Sequence, residues 1–290
     1  MMRKLKQRGF KPLSFALQEV LGRLDDDRSG EMTTGLTELD LRSSVLTPGN
    51  LIVVGSPPSG GKTNFVLSIA TNVAIRQGHA VGIFSLESTI HQTASRILAA
   101  ESQVTLGKVT SGQLTPKEQE ALQETRRKIK GVPLFIDAVK QRTDIRDLLT
   151  NAERTWERGN LDLLIVDYIQ LLHDRDQKYG SRDEEVDSIV RSLKHLARTL
   201  EIPVIAVSQA FRQLPPEEPS AEDLENASSL IQHADLILLI HRPEVVPLSK
   251  SEDLAHLIIA KDRRGCKSAL ELVYLPETCT FRNLISGASS

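Results

Sequence analysis

Residues 51–63 constrain the fold of this 290-residue chain most strongly, because they predict a strand, a glycine-rich turn and a helix in direct succession. The stretch reads L-I-V-V-G-S-P-P-S-G-G-K-T. Its first four residues are apolar and mostly β-branched, which is typical of a short buried strand, and the Gly, Pro and Ser residues that follow cannot continue it. Residues 64–74 then carry apolar side chains at helical spacing. A helix is therefore predicted to begin at the end of the G-G-K-T segment.

A strand, a glycine turn and a helix start in this order are typical of a phosphate cradle. The first N–H groups of a helix lack backbone partners and lie at the positive end of the helix dipole. Lys62 is predicted to reach the β and γ phosphates, and the Thr63 hydroxyl to ligate Mg²⁺. Ser56 departs from the pattern, because it stands where a glycine is usual, with Gly55 one position earlier; a chance loop is the alternative. The predicted cradle comprises Gly55, Ser56, Pro58, Ser59, Gly60, Gly61, Lys62, Thr63 and Asn64.

Composition places the chain among ordinary globular proteins. Hydrophobic residues make up 40% and charged residues 26%, and the longest apolar runs are strand-sized, so no membrane span is expected. A net charge of −2 argues against a protein whose whole surface binds nucleic acid, so any such contact must be local. Cys266 and Cys279 have no metal-like spacing. Reduced thiols, a cytoplasmic location and no zinc site are expected.

Strands alternate with helices along most of the chain. This order predicts an α/β fold with a mainly parallel twisted sheet, helices on both faces, and ligands bound at the carboxyl ends of the strands. The predicted strands are 51–54, 80–86, 133–136, 163–166, 204–207 and 236–240, and the predicted helices are 64–74, 92–101, 117–130, 146–158 and 184–200. Strands 256–260 and 269–275 are predicted to form a C-terminal hairpin with a basic tip.

The N-terminal 34 residues are predicted to be a separate segment that precedes one ATPase domain over residues 35–290. Residues 13–24 have an apolar stripe at helical spacing, and an acidic, linker-like stretch follows at 25–35. The helix has no obvious local partner. It either docks on a neighbouring subunit or packs back on its own domain.

Three polar residues follow or end predicted strands, where a doubly wound sheet gathers its ligand groups. Asp167 ends L-L-I-V-D and is predicted to hold Mg²⁺, with a carboxylate that merely caps the strand end as the alternative. Glu87 follows the I-F-S-L strand and could orient or deprotonate the attacking water. Gln209 follows V-I-A-V-S and is either a γ-phosphate sensor or a plain polar strand end.

Eight motifs occur in the order found in DnaB-type replicative helicases. D-Y-x-Q-L and the late K-x-R are the distinctive ones, and the resemblance covers about residues 13–284. The motifs are T-G-L-T-E-L-D (34–40), P-P-S-G-G-K-T (57–63), F-S-L-E (84–87), L-L-I-V-D-Y-I-Q-L-L (163–172), S-L-K-H-L-A (192–197), P-V-I-A-V-S-Q (203–209), Q-H-A-D (232–235) and A-K-D-R-R-G (260–265).

The resemblance implies a RecA-like fold and a homo-oligomeric ring, usually of six subunits, with ATP and Mg²⁺ held between neighbours. It implies that Glu87 is the catalytic base and Gln209 the sensor. Lys261 and Arg263 match the family's K-x-R pair, which acts on the nucleotide of the next subunit. A solvated charge on the hairpin is the alternative for Arg263.

Two features depart from the family. Its N-terminal helical domain has no counterpart here, so the chain is either a motor fragment or a naturally short relative. The loop expected to grip single-stranded DNA tends to read L-R-E-S-G in the family but reads L-E-N-A-S at 224–228, and residues 213–241 contain no Lys or Arg. Phosphate neutralisation dominates affinity for DNA, so this loop is expected to repel a strand unless backbone N–H groups compensate. The candidate DNA contacts are Asn226 and Ser228 in this loop, with Lys178 and Arg182 as the basic candidates; a solvated loop is the alternative for the latter two.

Two functions follow as hypotheses. The first is an ATP-hydrolysing ring motor that translocates on single-stranded DNA and unwinds duplex DNA in replication, with a helicase loader or other replisome proteins as partners. The second is a DnaB-like ATPase without unwinding activity, acting as a regulator, loader or assembly partner of a replicative helicase. A monomeric nucleotide kinase is disfavoured, because no separate lid stretch is apparent.

Overall fold

A single large sheet organises the fold. The computed structural model describes residues 12–14, 17–18, 21, 31–138, 143–209, 219–242, 247–249, 252–265 and 267–284. Within them, ten strands form the large sheet and two short strands, β4 and β6, form a second one. In chain order the strands are β1 (Leu51–Ser56), β2 (Val81–Ser85), β3 (Leu134–Ala138), β4 (Thr143–Asp144), β5 (Leu163–Asp167), β6 (Leu172–His173), β7 (Val204–Gln209), β8 (Leu236–His241), β9 (Pro247–Ser249), β10 (Glu252–Asp262), β11 (Ser268–Leu275) and β12 (Thr280–Asn283).

The order of strands confirms the predicted fold class. The sheet runs β12-β11-β10-β8-β1-β7-β5-β2-β3, and every pairing from β8 to β3 is parallel. Strands β10, β11 and β12 extend it as an antiparallel edge. The predicted hairpin is present but longer than expected, because β10 continues to Asp262. Lys261 therefore lies within a strand that pairs with β8, and not at the hairpin tip.

The helices cover the sheet. Several of them begin with a clear capping signal. At the start of the helix that begins at Pro116, for example, Thr115 and Glu118 form a reciprocal capping box. The five helices predicted within residues 35–290 are all present, and three short ones, α1, α4 and α8, were not predicted. The helices are α1 (Thr37–Arg42), α2 (Lys62–Thr71), which continues as a π-helical turn (Asn72–Arg76), α3 (Ile90–Ser102), α4 (Leu106–Ser111), α5 (Pro116–Lys128), α6 (Ile145–Glu157), α7 (Arg182–Leu200) and α8 (Ala227–His233); 3-10 turns span Ile169–Leu171 and Ala221–Asp223.

Strand β1 is buried on both faces, as its unbroken apolar run predicts. Leu51 and Val53 face one hydrophobic cluster, which includes residues of α6, α7 and α8. Ile52 and Val54 face the other, which includes residues of α1 and α2 and of the antiparallel edge. The strand that leads into the phosphate loop is thereby fixed in the middle of the protein.

The T-G-L-T-E-L-D motif has a structural role in this chain. The Asp40 carboxylate accepts hydrogen bonds from the Thr34 N–H (2.9 Å), the Thr34 hydroxyl (2.8 Å) and the Gly35 N–H (3.0 Å). The Asn72 amide donates to the Thr34 carbonyl at 2.9 Å. The motif ties the start of the domain to the π-helical turn that follows α2.

The predicted helix over residues 13–24 lies partly outside the described residues. Residues 13–14, 17–18 and 21 are helical. Leu13, Leu17 and Leu21, which form its predicted apolar stripe, are 74%, 52% and 58% exposed. Across the part of the chain that the structure describes, no helix combines the length and the apolar character needed to cross a membrane.

Candidate active site

The turn between β1 and α2 has the geometry of an anion cradle. Gly61 adopts φ +96°, in the left-handed region that favours glycine, and α2 begins directly after it. The short helices α1, α4 and α8 have no side-chain cap either, but among the described helices of ten or more residues α2 is the one that no side chain caps. Thr89, Thr115, Asp144 and Ser181 cap α3, α5, α6 and α7. The first N–H groups of α2 are therefore left to an external acceptor.

The two glycines of the turn also lie where a side chain would be too close to its neighbours. A Cβ at Gly61 would lie 3.0 Å from the Phe281 ring, and a Cβ at Gly60 would lie 2.6 Å from the Ser56 hydroxyl oxygen. Ser56 is buried, and its hydroxyl donates to the Pro57 carbonyl at 2.8 Å. The serine that replaces the usual glycine is thus accommodated as the last residue of β1, with its side chain folded against the turn.

Thr63 and Asp167 come together as predicted for a magnesium site. The Thr63 hydroxyl donates to Asp167 Oδ2 at 2.8 Å. Asp167 is only 3% exposed, and its Oδ1 is one of the buried polar atoms without a hydrogen-bond partner among the described residues. An anionic oxygen left free beside a hydroxyl fits a hard divalent cation, so the residues present fit Mg²⁺.

Burial raises the pKa of Asp167 above its usual value, because it disfavours the charged form. The hydrogen bond from Thr63 lowers this pKa, the charge of Glu87 raises it, and the charges of Lys62 and Arg96 lower it. Glu87 and Lys62 therefore lie close enough to Asp167 to influence its charge.

Replacing Asp167 by asparagine is expected to stabilise the nucleotide-free protein at neutral pH. An acid whose folded pKa is raised starts to cost stability once pH exceeds its unfolded pKa. The cost is complete above the folded pKa and disappears as pH falls below the unfolded value. The variant avoids this cost, so its unfolding midpoint should rise by about 2–4 °C, corresponding to about 1 kcal/mol. Calorimetry from pH 4 to 8 tests this, and the difference from wild type should shrink toward low pH. A pH-independent difference would contradict the charge explanation. Magnesium-dependent stabilisation by nucleotide should be lost in the same variant.

Glu87 and Gln209 also lie at the carboxyl edge of the parallel strands. Glu87 is exposed and follows Leu86, whose N–H donates to the Asp167 carbonyl at 2.8 Å. Gln209 ends β7 opposite Ser56 in the sheet register. Its carbonyl accepts from the Glu225 N–H at 3.0 Å, which links the sensor candidate to the L-E-N-A-S loop.

A second layer of contacts beside the cradle was not predicted. The Asn64 amide donates to the Tyr274 hydroxyl at 2.8 Å, and Tyr274 stacks on Phe281 with ring centroids 4.5 Å apart. The Arg242 guanidinium lies 4.6 Å from the centroid of the Tyr274 ring. These residues follow β8 or belong to β11 and β12, far from the loop in sequence, so no local signal could have identified them.

The charged groups of Lys261 and Arg263 lie near the amino ends of the parallel strands, whereas the cradle lies at their carboxyl ends. The Arg263 N–H donates to the Asp235 carbonyl at 3.0 Å, and the Asp235 N–H donates to the carbonyl of Leu51, the first residue of β1. The cradle follows the last residue of β1. Five steps at about 3.3 Å each place it roughly 17 Å from Arg263 along the strand. Arg263 thus cannot reach the phosphates that its own chain would hold, and the Lys261 ammonium points the same way, because it donates to the Ala234 carbonyl just before β8.

Three of the predicted DNA-contacting residues, Arg182, Asn226 and Ser228, line one cleft of about 650 Å³. The Asn226 amide donates to Asp183 Oδ1 at 2.5 Å, and Ser228 is exposed. Lys178 is also exposed but does not line this cleft. Residues 213–218 of the acidic stretch lie outside the described residues. The cleft lining comprises Gln170, Arg182, Asp183, Glu222, Leu224, Glu225, Asn226, Ala227, Ser228 and Ser229.

The Arg182 guanidinium is used inside the protein. It donates to the carbonyls of Gln170 and Leu172, at 2.9 and 2.8 Å, and pairs with Glu185. These contacts tie the loop after β5 to the first turn of α7. They compete with a contact from Arg182 to a nucleic-acid phosphate.

Comparisons with known proteins agree with this architecture. A solved structure of an ATPase domain aligns with a TM-score of 0.86 and 26% identity, covering 95% of this chain and 100% of that one. The replicative DNA helicase DnaB of Geobacillus stearothermophilus is 34% identical over 265 residues, which is 89% of this chain. That of Haemophilus influenzae is 35% identical over 276 residues, or 92% of this chain. The chain spans 58% of the length of each of these two relatives. The model of the DnaB-like helicase C terminal domain matches residues 31–283, and the chain belongs to this family.

Proposed function

We propose that this chain is the motor domain of a ring-forming replicative DNA helicase that hydrolyses ATP between neighbouring subunits. One observation carries the proposal. The cradle, Asp167 and Glu87 gather at the carboxyl ends of the parallel strands, whereas the charged groups of Lys261 and Arg263 lie near the amino ends. A complete site then needs two chains, with the cradle of one facing the K-x-R pair of the next. A ring satisfies this requirement for every subunit, and six is the number expected from the family resemblance.

The proposed hydrolysis assigns a step to each residue. Glu87 accepts a proton from a water molecule while the water oxygen attacks the γ-phosphorus. The bond between the γ-phosphorus and the β–γ bridging oxygen then breaks, which releases ADP and phosphate. Gln209 orients the water or the γ-phosphate by hydrogen bonding. Lys62 and the neighbour's Arg263 offset the negative charge of the transition state. Mg²⁺, held by Thr63 and Asp167, would supply further charge neutralisation at the phosphates.

Translocation on single-stranded DNA is proposed from the family and from the cleft that contains Arg182, Asn226 and Ser228. Acidic side chains in the lining weaken electrostatic attraction to phosphates, so contact through backbone N–H groups and Lys178 is the proposed mode. One similar structure is titled a DnaB-like replicative helicase with its interactions with primase. By analogy, replisome proteins are proposed as partners of this chain. The exposed leucines near the N-terminus are proposed to dock on a neighbouring subunit. Such work on DNA places the protein in the cytoplasm.

The internal pairing of Arg182 favours a second candidate, a DnaB-like ATPase that regulates, loads or assembles a replicative helicase without unwinding. The two candidates differ in their response to DNA. A motor should be stimulated by single-stranded DNA, whereas the regulator should hydrolyse ATP at the same rate with or without it.

Strand displacement on a forked duplex separates the two. With ATP and Mg²⁺ the motor should displace the strand, and raising salt from about 50 to about 200 mM should weaken DNA binding. The Lys62→Ala variant, which lacks the cradle lysine, is the control and should displace nothing. ATP hydrolysis without displacement, in rings verified by light scattering, would contradict the motor and support the regulator.

A further inference from the structure

We propose that Asp235 is a positioning residue that holds Arg263 at the subunit surface, beside Lys261, ready to act on the ATP of the neighbouring subunit. The inference rests on the proposed shared site. It also gives a role to two parts of the chain that the function has not used so far, the Q-H-A-D motif at 232–235 and the lysine of S-L-K-H-L-A.

Cationic side chains converge on the Asp235 carboxylate. Lys194 Nζ lies 2.5 Å from Oδ2, and Arg263 Nη1 lies 3.3 Å from Oδ1. The Asp235 side chain is only 11% exposed, whereas that of Arg263 is 53% exposed. One end of the Arg263 guanidinium is therefore anchored on a buried carboxylate while the remainder faces outward, where a neighbouring subunit would present its phosphates.

The backbone around Asp235 holds the same pair. The Asp235 carbonyl accepts from the Arg263 N–H at 3.0 Å. Lys261 Nζ donates to the Ala234 carbonyl at 2.6 Å and to the Ile231 carbonyl at the end of α8. Residues 231–235 thus form one frame that fixes both members of the pair, and Asp235 is the residue of this frame that supplies a negative charge.

Asp162 shows what the same arrangement looks like without this role. Its N–H donates to the Ala80 carbonyl at 2.7 Å, and its carboxylate accepts from the Ala80 N–H at 2.9 Å. Asp235 repeats this reciprocal pair with Leu51, at 2.9 and 2.7 Å. Both aspartates therefore join the starts of neighbouring strands. Asp162 also lies 3.9 Å from His79 Nδ1. At Asp235 the ion pairs are instead made with Lys194 and with Arg263, a member of the K-x-R pair, and this contact indicates a second role.

The charge of Asp235 also favours the cationic form of Lys261. Burial lowers the pKa of Lys261, and the charges of Arg263 and Lys194 lower it further, while the charge of Asp235 opposes them. An isosteric neutral residue at 235 would leave three cations close together without their shared counter-charge.

The test compares Asp235→Asn with Asp162→Asn in the assembled protein. Both variants keep an acceptor for the strand-joining N–H, but Asp235→Asn also removes the counter-charge of the part-buried Lys194 and should lower the unfolding midpoint more. Activity is therefore measured well below both unfolding midpoints. Only Asp235→Asn should lower kcat for ATP hydrolysis, by about 10²-fold, which is the usual effect of a misplaced catalytic group. Its KM for ATP should stay within about twofold, because the cradle of the same chain is unchanged. If Asp235→Asn does not fold, Asp235→Glu, which retains the charge but displaces it, is expected to show the same separation of kcat from KM.

Arg263→Ala in the same assay separates failure of the inference from failure of the proposed function. In the Arg263→Ala background, adding Asp235→Asn should lower kcat little further, because both changes act through the same guanidinium. Full kcat in Asp235→Asn, or an equal loss in Asp162→Asn, overturns the positioning role while Arg263→Ala is still impaired. Full kcat in Arg263→Ala overturns the shared site and the positioning role together.

Discussion

Replacing Arg263 by alanine is expected to lower kcat for ATP hydrolysis by about 10³- to 10⁵-fold, the effect of losing an arginine finger. The reason is that the guanidinium would offset charge that develops on the transferred phosphoryl group. KM for ATP should change little, because the contacts that bind the nucleotide are made by the cradle of the other chain. Phosphate release in the steady state measures both constants.

Arg264→Ala is the matched control for this prediction. Arg264 is the next residue, is also exposed and carries the same charge, but its guanidinium donates to the Thr47 hydroxyl at 3.3 Å. Its removal should leave kcat within about twofold of wild type, as expected for a surface residue away from the chemistry. Equal losses in both variants would indicate a general effect of hairpin charge and would count against a specific role of Arg263.

Replacing Glu87 by glutamine is expected to lower kcat by roughly 10²- to 10⁴-fold, the contribution of a general base. The change preserves shape and removes only the ability to accept a proton, so a fluorescent ATP analogue should bind with near wild-type affinity. Asp137→Asn is the control, because Asp137 is an exposed carboxylate in the adjacent strand β3. Loss of nucleotide binding in Glu87→Gln, or unchanged kcat, would contradict the assigned role.

The fold was predictable from sequence because its signals are local. The apolar run of β1, the capping residues of the long helices and the alternation of strands with helices each act within a few residues, and together they predict a parallel sheet. The carboxyl-edge rule then brings Thr63 and Asp167 together, and they lie in hydrogen-bond contact although they are 104 positions apart in the sequence.

The features that escaped prediction depend on long-range contacts. The stack of Arg242 on Tyr274 joins residues whose roles are set only when β8 and β11 enter one sheet. Helix α8 has seven residues, too few for its spacing to stand out. Arg182 was predicted as a candidate phosphate contact from its charge and its loop, but charge alone cannot reveal that backbone carbonyls and Glu185 use its guanidinium.

The central claim is that each ATP is shared by two chains, and cross-linking tests it most directly. Unlabelled wild-type chain is mixed with ¹⁵N-labelled Lys62→Ala chain, and the mixed rings receive an ATP analogue with a photoreactive group on its γ-phosphate. Because the labelled chain lacks the cradle lysine and should bind the analogue weakly, adducts on it at low analogue concentration should come from nucleotide held by a neighbour. We predict adducts on the ¹⁵N-labelled peptide that contains Lys261 and Arg263. Adducts confined to unlabelled peptides, in rings shown to contain both chains, would contradict the shared site.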